Sequence, residues 1–453
     1  MLLFSEVQDM RFSSRLVCVC ISCLLCAFFI PCWENEIWSD LVRAAPACPG
    51  GPDSVECLNA GNALSERTKI ATRLIADRGG RDRTETNAAE SAEKPAKKPS
   101  ALDDVWRSKD LNILAIGMGI GDVDGDGSND VVLIGPSSVY LYRFSGGLLT
   151  LVTKYDAGSL ELKGVDVAKI RKQGPARIYV SAQNRGSITS FVLVYRGGKL
   201  TPIISNIDYY LRIVDYPTRG PMLLGQRKAL TKIYDGPIFR LDDRGDDLES
   251  TGRFGLPLKI PIFGFAIGDF DGTRKPIIAV YDREDHLRLY EPSGKRIYLS
   301  QDYYGGSDVV LRLRGHEERF ASRDLDLGSE KAYFRPRIAA MDLDHDGKYE
   351  ILAIVHSSTT YRMLANMRMF TEGEVVGLAW NGDSLERQWG TPKVQGMITD
   401  FAVKRLSGFS RPRLITVERK KTDWMSFLSS RSQIRAYDLE YLRTRKPADS
   451  GYK

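Results

Sequence analysis

The chain has little with which to do covalent chemistry. Only four histidines occur in 453 residues, His286, His316, His345 and His356, and none stands at a metal-binding spacing from another. His316-Glu317-Glu318-Arg319-Phe320 opens like a zinc-protease helix but carries Phe where the second His is required. There is no Gly-x-Ser-x-Gly elbow and no P-loop. Gly117-Met118-Gly119-Ile120-Gly121 is glycine-rich, yet it runs into an acidic loop rather than a helix and so builds no phosphate cradle. These absences argue against an enzyme. Charge of one sign is also scarce. The net charge is +6, and the run Arg419-Lys420-Lys421 has no interleaved aromatics, which argues against nucleic-acid binding. All seven cysteines, Cys18, Cys20, Cys23, Cys26, Cys32, Cys48 and Cys57, precede residue 58, so the body of the chain has no thiol for a disulfide or a metal site.

What is there divides into parts. Arg11 and Arg15 precede an apolar run from Leu16 to Ile30, the length of a signal-peptide core, and Ala45-Pro46-Ala47 supplies small residues for cleavage. Residues 1–47 read as a signal peptide, and the protein as exported to the periplasm, cell envelope or exterior. The alternative keeps residues 15–32 as an uncleaved membrane anchor. Cleavage after Ala47 leaves Cys48 and Cys57, which can close a short disulfide in an oxidising compartment. Residues 48–104 are rich in Ala, Glu, Lys and Arg, show no sustained apolar period, and read as a disordered tether. Residues 446–453 read as a tail.

From Trp106 the character changes. Hydrophobic residues make up 43% of the chain and charged residues 27%, ordinary for a chain with a buried core. Short β-type runs such as Val131-Val132-Leu133-Ile134 and Val139-Tyr140-Leu141-Tyr142 alternate with Gly, Asp, Asn and Ser. The runs recur as a four-stranded unit with an Asp in the first turn. Placing that Asp at Asp122, Asp166, Asp215, Asp269, Asp342 and Asp400 gives spacings of 44, 49, 54, 73 and 58, mostly near the ~40–50 residues of a propeller blade. A lone four-stranded sheet cannot bury its faces, so such units pack side by side and close into a ring. The prediction is an all-β propeller over residues 105–445, with six blades. Seven is the alternative, because the long spacing before Asp342 leaves room for an insertion or a decayed blade. Closure is expected to pair the segment from Trp106 to Ile116 with that from Ile434 to Leu439.

Two turns are dense in carboxylates. Residues 122–130 read Asp-Val-Asp-Gly-Asp-Gly-Ser-Asn-Asp, and residues 342–350 read Asp-Leu-Asp-His-Asp-Gly-Lys-Tyr-Glu. Oxygens at loop positions 1, 3, 5 and 9 with a carbonyl at 7 can converge on one hard cation, and Gly at 6 permits the sharp turn. Calcium fits best, since four carboxylates within nine residues repel one another without a cation. An EF-hand would need Glu at position 12, where Leu133 and Ala353 stand, and a strand rather than a helix follows. With Ile267-Gly268-Asp269-Phe270-Asp271-Gly272 as a third, partial copy, the chain resembles the FG-GAP (VCBS-type) repeat family of calcium-loop propellers, related to the integrin alpha-subunit head. It also resembles exported bacterial proteins of that class. The resemblance implies that each acidic loop joins the first two strands of a blade. It carries the ligand roles to Asp122, Asp124, Asp126, Ser128 (carbonyl) and Asp130, and to Asp342, Asp344, Asp346, Lys348 (carbonyl) and Glu350. At Asp269 the third and fourth carboxylates are missing, and no ion is expected.

Trp380, Trp389, Trp424, Tyr303, Tyr304 and Tyr361 can line a carbohydrate or peptide surface, although packing between blades is the commoner use of such residues. The expectation is a calcium-stiffened, non-catalytic module or scaffold for an unidentified protein or carbohydrate partner. The alternatives are a structural part of an envelope assembly, and a propeller-fold hydrolase or lyase.

Overall fold

A computed structural model describes residues 104–228, 236–256, 260–312, 331–357, 368, 370–420 and 431–444. The signal or anchor segment, almost all of the tether, the tail, His316, Tyr361, Lys421 and Trp424 lie outside the described residues.

The described chain is built almost wholly of antiparallel strands that the β-branched and aromatic runs foretell. Sheet 1 runs in the order 117–121, 130–134, 138–145, 148–156. Sheet 2 contains 161–168, 177–184, 190–196 and 199–207, with a two-residue strand at 187–188. Sheet 3 contains 210–216, 220–226, 238–243 and 248–253, and sheet 4 contains 265–268, 277–281, 286–290 and 296–303. One further sheet of eight strands holds two four-stranded groups. Sheet 5 comprises 339–341, 350–357, 372–380 and 385–390, and sheet 6 comprises 394–404, 413–420, 432–438 and 105–107. They join where Glu372 pairs Gln395 and Gly373 pairs Val394. A short helix, Leu439–Thr444, follows.

The arrangement is propeller-like. From sheet 1 through sheet 5 the first strand of each sheet lies beside the first strand of the next, 394–404 of sheet 6 lies against 372–380 and 350–357 of sheet 5, and 394–404 lies beside 117–121. The fourth strand of sheet 6 comes from the other end of the described chain, with Val105 opposite Tyr437, Trp106 opposite Ala436 and Arg107 opposite Arg435. Trp106 also couples that closing strand to sheet 1. Its ring meets Phe144 edge-on at 4.9 Å, and its indole N–H donates to the Gly147 carbonyl at 2.9 Å. Near the axis the backbones approach so closely that side chains are excluded. A Cβ on Gly119 or Gly121 would lie 2.7 Å from a Val167 methyl, which is why the glycine-rich run has that composition.

Three of the six turn assignments need correction. Asp122, Asp269 and Asp342 follow the first strands of their sheets, whereas Asp166, Asp215 and Asp400 lie inside first strands. The corresponding connections are 169–176, 217–219 and 405–412. Period counting fails here because an axial Asp in a strand and an Asp in a turn recur at nearly the same interval.

The long spacing before Asp342 holds no four-stranded unit among the described residues. Val310–Arg312 pairs with Lys331–Tyr333 as a two-stranded sheet, and that sheet docks on sheet 2. Lys163 Nζ donates to the Val310 carbonyl at 2.8 Å, and Gln183 Nε2 donates to the Arg312 carbonyl at 2.7 Å. The return segment packs Phe334 against Phe263 at 4.5 Å and leads to Arg337.

His356 ties this segment to sheets 5 and 6. Its Nδ1–H donates to the Gly305 carbonyl at 2.8 Å, and its Nε2 accepts from the Ile398 amide at 3.1 Å. Burial holds its pKa down, to about 4. The unfolded chain, with an imidazole near 6.5, takes up a proton that the folded ring refuses until about pH 4. This contribution to stability is therefore complete above pH 6.5 and is lost as pH falls through 4. Denaturant melts of the wild type should lose up to about 3 kcal/mol more than His356→Gln across that interval. Parallel pH profiles would show the ring does not play this part.

Candidate metal centres and the axial charge network

The two acidic loops share one conformation. Positions 4 and 6 have positive φ in both: Gly125 and Gly127 at +84° each, and His345 and Gly347 at +62° and +90°. The partial third copy has the same pair, Gly272 at +75° and Arg274 at +62°. In all three the position 1 carboxylate accepts from the position 6 amide, Asp122 from Gly127 at 3.0 Å, Asp342 from Gly347 at 3.2 Å and Asp269 from Arg274 at 2.7 Å. The loop shape thus depends on the first Asp and on the left-handed positions, not on the full carboxylate set. Sequence reasoning marked position 6 and missed position 4, where His345 hides the need for positive φ.

The complete loops add two hydrogen bonds of their own. The position 5 carboxylate accepts from the position 7 amide, Asp126 from Ser128 and Asp346 from Lys348, each at 2.7 Å. The position 9 carboxylate accepts from the position 2 amide, Asp130 from Val123 at 3.4 Å and Glu350 from Leu343 at 2.9 Å. Asp122, Asp124 and Asp130 thereby each place an oxygen within 4.8 Å of the others, and so do Asp342, Asp344 and Glu350. Asp126 and Asp346 are not members of these triads.

The donor chemistry fits a hard cation. Burial, then the neighbouring Asp124 charge, pushes the Asp130 carboxyl up to about 6. Burial likewise raises Glu350. Asp342 Oδ1 is enclosed with no hydrogen-bond partner. Each loop also has an arginine that spacing did not reveal, because it comes from elsewhere in the chain. Arg143, from the third strand of sheet 1, pairs with Asp124 and lies 3.6 Å from Asp130. Arg443, from the terminal helix, reaches Asp344 at 2.9 Å. Each offsets part of the repulsion at the position 3 carboxylate, and Arg143 also lies within ion-pair distance of the position 9 acid.

The second constellation sits where the first strands meet. Arg337 spans two sheets, with Nε donating to Asp400 Oδ1 at 2.7 Å and Nη1 to Asp166 Oδ1 at 2.9 Å. Arg212 donates to both Asp166 oxygens, at 2.8 and 2.9 Å. The Met118 amide donates to Asp400 Oδ2 at 3.0 Å, and the Ile213 amide to Asp166 Oδ2 at 2.9 Å. Burial alone would lower the Arg337 pKa, but the Asp400 and Asp166 carboxylates outweigh it and hold the guanidinium above its usual value. Asp166 and Arg337 line a cavity of 690 Å³ together with Asp122, Asn129, Lys169, Asp215 and Lys404. Asp166 and Asp400 are thus axial charge partners of Arg337.

Of the aromatic residues considered for a ligand surface, Trp380, Trp389 and Tyr304 are buried, and Tyr303 is 38% exposed. The basic run is partly neutralised, Arg419 by Asp308 and Lys420 by Asp110.

No protein-family model and no curated protein matches the chain. Among solved structures it is similar to BBS1N in complex with ARL6DN, at 13% identity and TM-score 0.38, over 76% of this chain and 99% of that one. It is also similar to the Bacillus licheniformis rhamnogalacturonan lyase PL11, at 11% identity and TM-score 0.36, over 76% and 74%. A third is Sqt1 of Saccharomyces cerevisiae, at 8% identity and TM-score 0.34, over 71% and 95%. Such low identities and TM-scores leave function to the chain's own geometry.

Proposed function

We propose that this chain is an exported, six-bladed β-propeller that binds two calcium ions and acts as a non-catalytic binding or scaffold module of the FG-GAP/VCBS type. The observation that carries the reading is the recurrence of one carboxylate triad at the same corner of sheets 1 and 5. Asp122, Asp124 and Asp130 would hold one ion, and Asp342, Asp344 and Glu350 the other. Asp126, Asp346 and the carbonyls of Ser128 and Lys348 complete each shell. Calcium supplies charge neutralisation there and fixes the first two strands of each sheet relative to their loop.

Equilibrium dialysis followed by elemental analysis should find two calcium ions per chain, and one in Asp124→Ala or Asp344→Ala. A metal content near zero at millimolar calcium would remove the proposal. The module reading extends to an unidentified protein or glycan partner, and pull-downs from an envelope fraction with and without chelator test it.

A further inference from the structure

We infer that the cleft between sheets 3 and 4 is a binding site for a small organic oxyanion, a carboxylate or phosphate carried on a single ring. This goes beyond the calcium reading and does not depend on it. The cleft encloses 260 Å³ and is lined by Arg219, Arg240 and Arg253 together with Tyr216, Phe254, Leu256, Ile267, Ile278 and two prolines. No Asp or Glu is among the described residues of the lining.

Its charge is what sets it apart. Arginines packed into the sheets elsewhere meet a carboxylate closely: Arg177 reaches Asp243 at 2.7 Å, Arg212 reaches Asp166 at 2.8 Å and Arg387 reaches Glu374 at 2.6 Å. Arg240, which is half-buried, and Arg219 and Arg253, which are exposed, have no carboxylate partner among the described residues. Three guanidinium groups lining one small cleft give it a positive charge that an anion from outside offsets. The planar fork of arginine matches a carboxylate or phosphate with two parallel hydrogen bonds.

The cleft is also shaped for a body behind the charge. Tyr216 and Phe254 stand edge to face at 6.4 Å, and the Arg219 guanidinium lies 5.5 Å from the Tyr216 ring centre. Ile267 and Ile278, from the core between these sheets, complete the apolar side. Local geometry places the cations. Sheet 3 has the tight turn 217–219 where sheet 1 has its acidic loop, and there the Arg219 amide donates to the Tyr216 carbonyl at 3.0 Å. The corner that is acidic in sheets 1 and 5 is basic in sheet 3. Small-molecule sites of this kind combine an apolar wall with a few convergent polar groups, and this volume suits one ring with its charged group.

The test is calorimetric titration of the full chain at a temperature where its melt shows it folded, with and without chelator so that phosphate held by metal at the acidic loops is told apart. The probes are phenyl phosphate, benzoate, inorganic phosphate and benzyl alcohol. Phenyl phosphate or benzoate should bind at least about tenfold more tightly than inorganic phosphate or benzyl alcohol, and whichever is tighter names the oxyanion. Arg240→Gln should weaken that probe at least about tenfold, and Arg219→Gln, at an exposed turn, should weaken it without changing the melt. Arg240→Lys, which keeps the charge and loses the fork, should fall between Arg240→Gln and wild type. Equal binding of the neutral alcohol, full affinity in both Gln variants, or no binding of either ring-borne anion would each overturn the inference.

Discussion

Replacing Arg337 with methionine is expected to destabilise the protein by about 3–5 kcal/mol, the largest effect of any single substitution considered. The side chain is held on three sides by Asp166, Asp400 and the Met118 carbonyl. Removing it leaves two carboxylates buried at 5% and 7% exposure, with Arg212 as the remaining ion-pair partner of Asp166 and no ion-pair partner on Asp400 among the described residues. An uncompensated buried charge costs more than the intact pair contributes, so the loss reflects what is left behind. Two companion variants separate that cost from packing. Arg337→Met combined with Asp400→Asn should recover much of the stability, because the orphaned charge is gone. Arg337→Lys should remain well below wild type, because an ammonium cannot serve Asp400 through two nitrogens while also reaching Asp166. Urea melts measure all of these. A loss below about 1 kcal/mol for Arg337→Met would mean that the axis is held by packing alone.

Calcium removal should have an effect of the same size. A site at a hundred times its dissociation constant contributes about 2.7 kcal/mol, so two sites together contribute about 5 kcal/mol of calcium-dependent stability. A melt in excess chelator should therefore fall several degrees below the calcium-loaded melt. Asp124→Ala and Asp344→Ala should each abolish about half of that difference. Asp271→Ala, in the loop with the same backbone and fewer carboxylates, should leave the difference intact while it loses the hydrogen bonds from Thr273. Arg143→Gln offers a finer test. If the guanidinium shares the charge of Asp124 and Asp130 with the ion, its removal should tighten calcium at the first site and leave the second unchanged. Coincident melts with and without chelator would end the calcium proposal and leave the sheets and the basic cleft as described.

Much of this protein was legible in its sequence. The alternation of β-branched and aromatic residues with turn residues called for short antiparallel strands, and a repeat near fifty residues called for four of them per unit. Trp106 was placed in the closing segment, and it sits opposite Ala436. The spacing of carboxylates brought out Asp122, Asp124, Asp130, Asp342, Asp344 and Glu350, because all the members of each loop lie within nine residues and local backbone geometry gathers them. Local information suffices where the interaction is local.

What only the tertiary structure decided is everything gathered from distant parts of the chain. Asp166 and Asp400 are identical in sequence character to turn aspartates, and only the meeting of first strands around an axis shows that they hold Arg337, which stands 171 and 63 residues away. Arg143 and Arg443 reach the acidic loops from another strand and from the terminal helix, and three unremarked arginines share a cleft between two sheets. An arginine carries no mark of its partner, since its charge is the same in water and beside a carboxylate. The partner is set by which backbones the fold brings within a few ångströms, and that distance is a property of the assembled sheets.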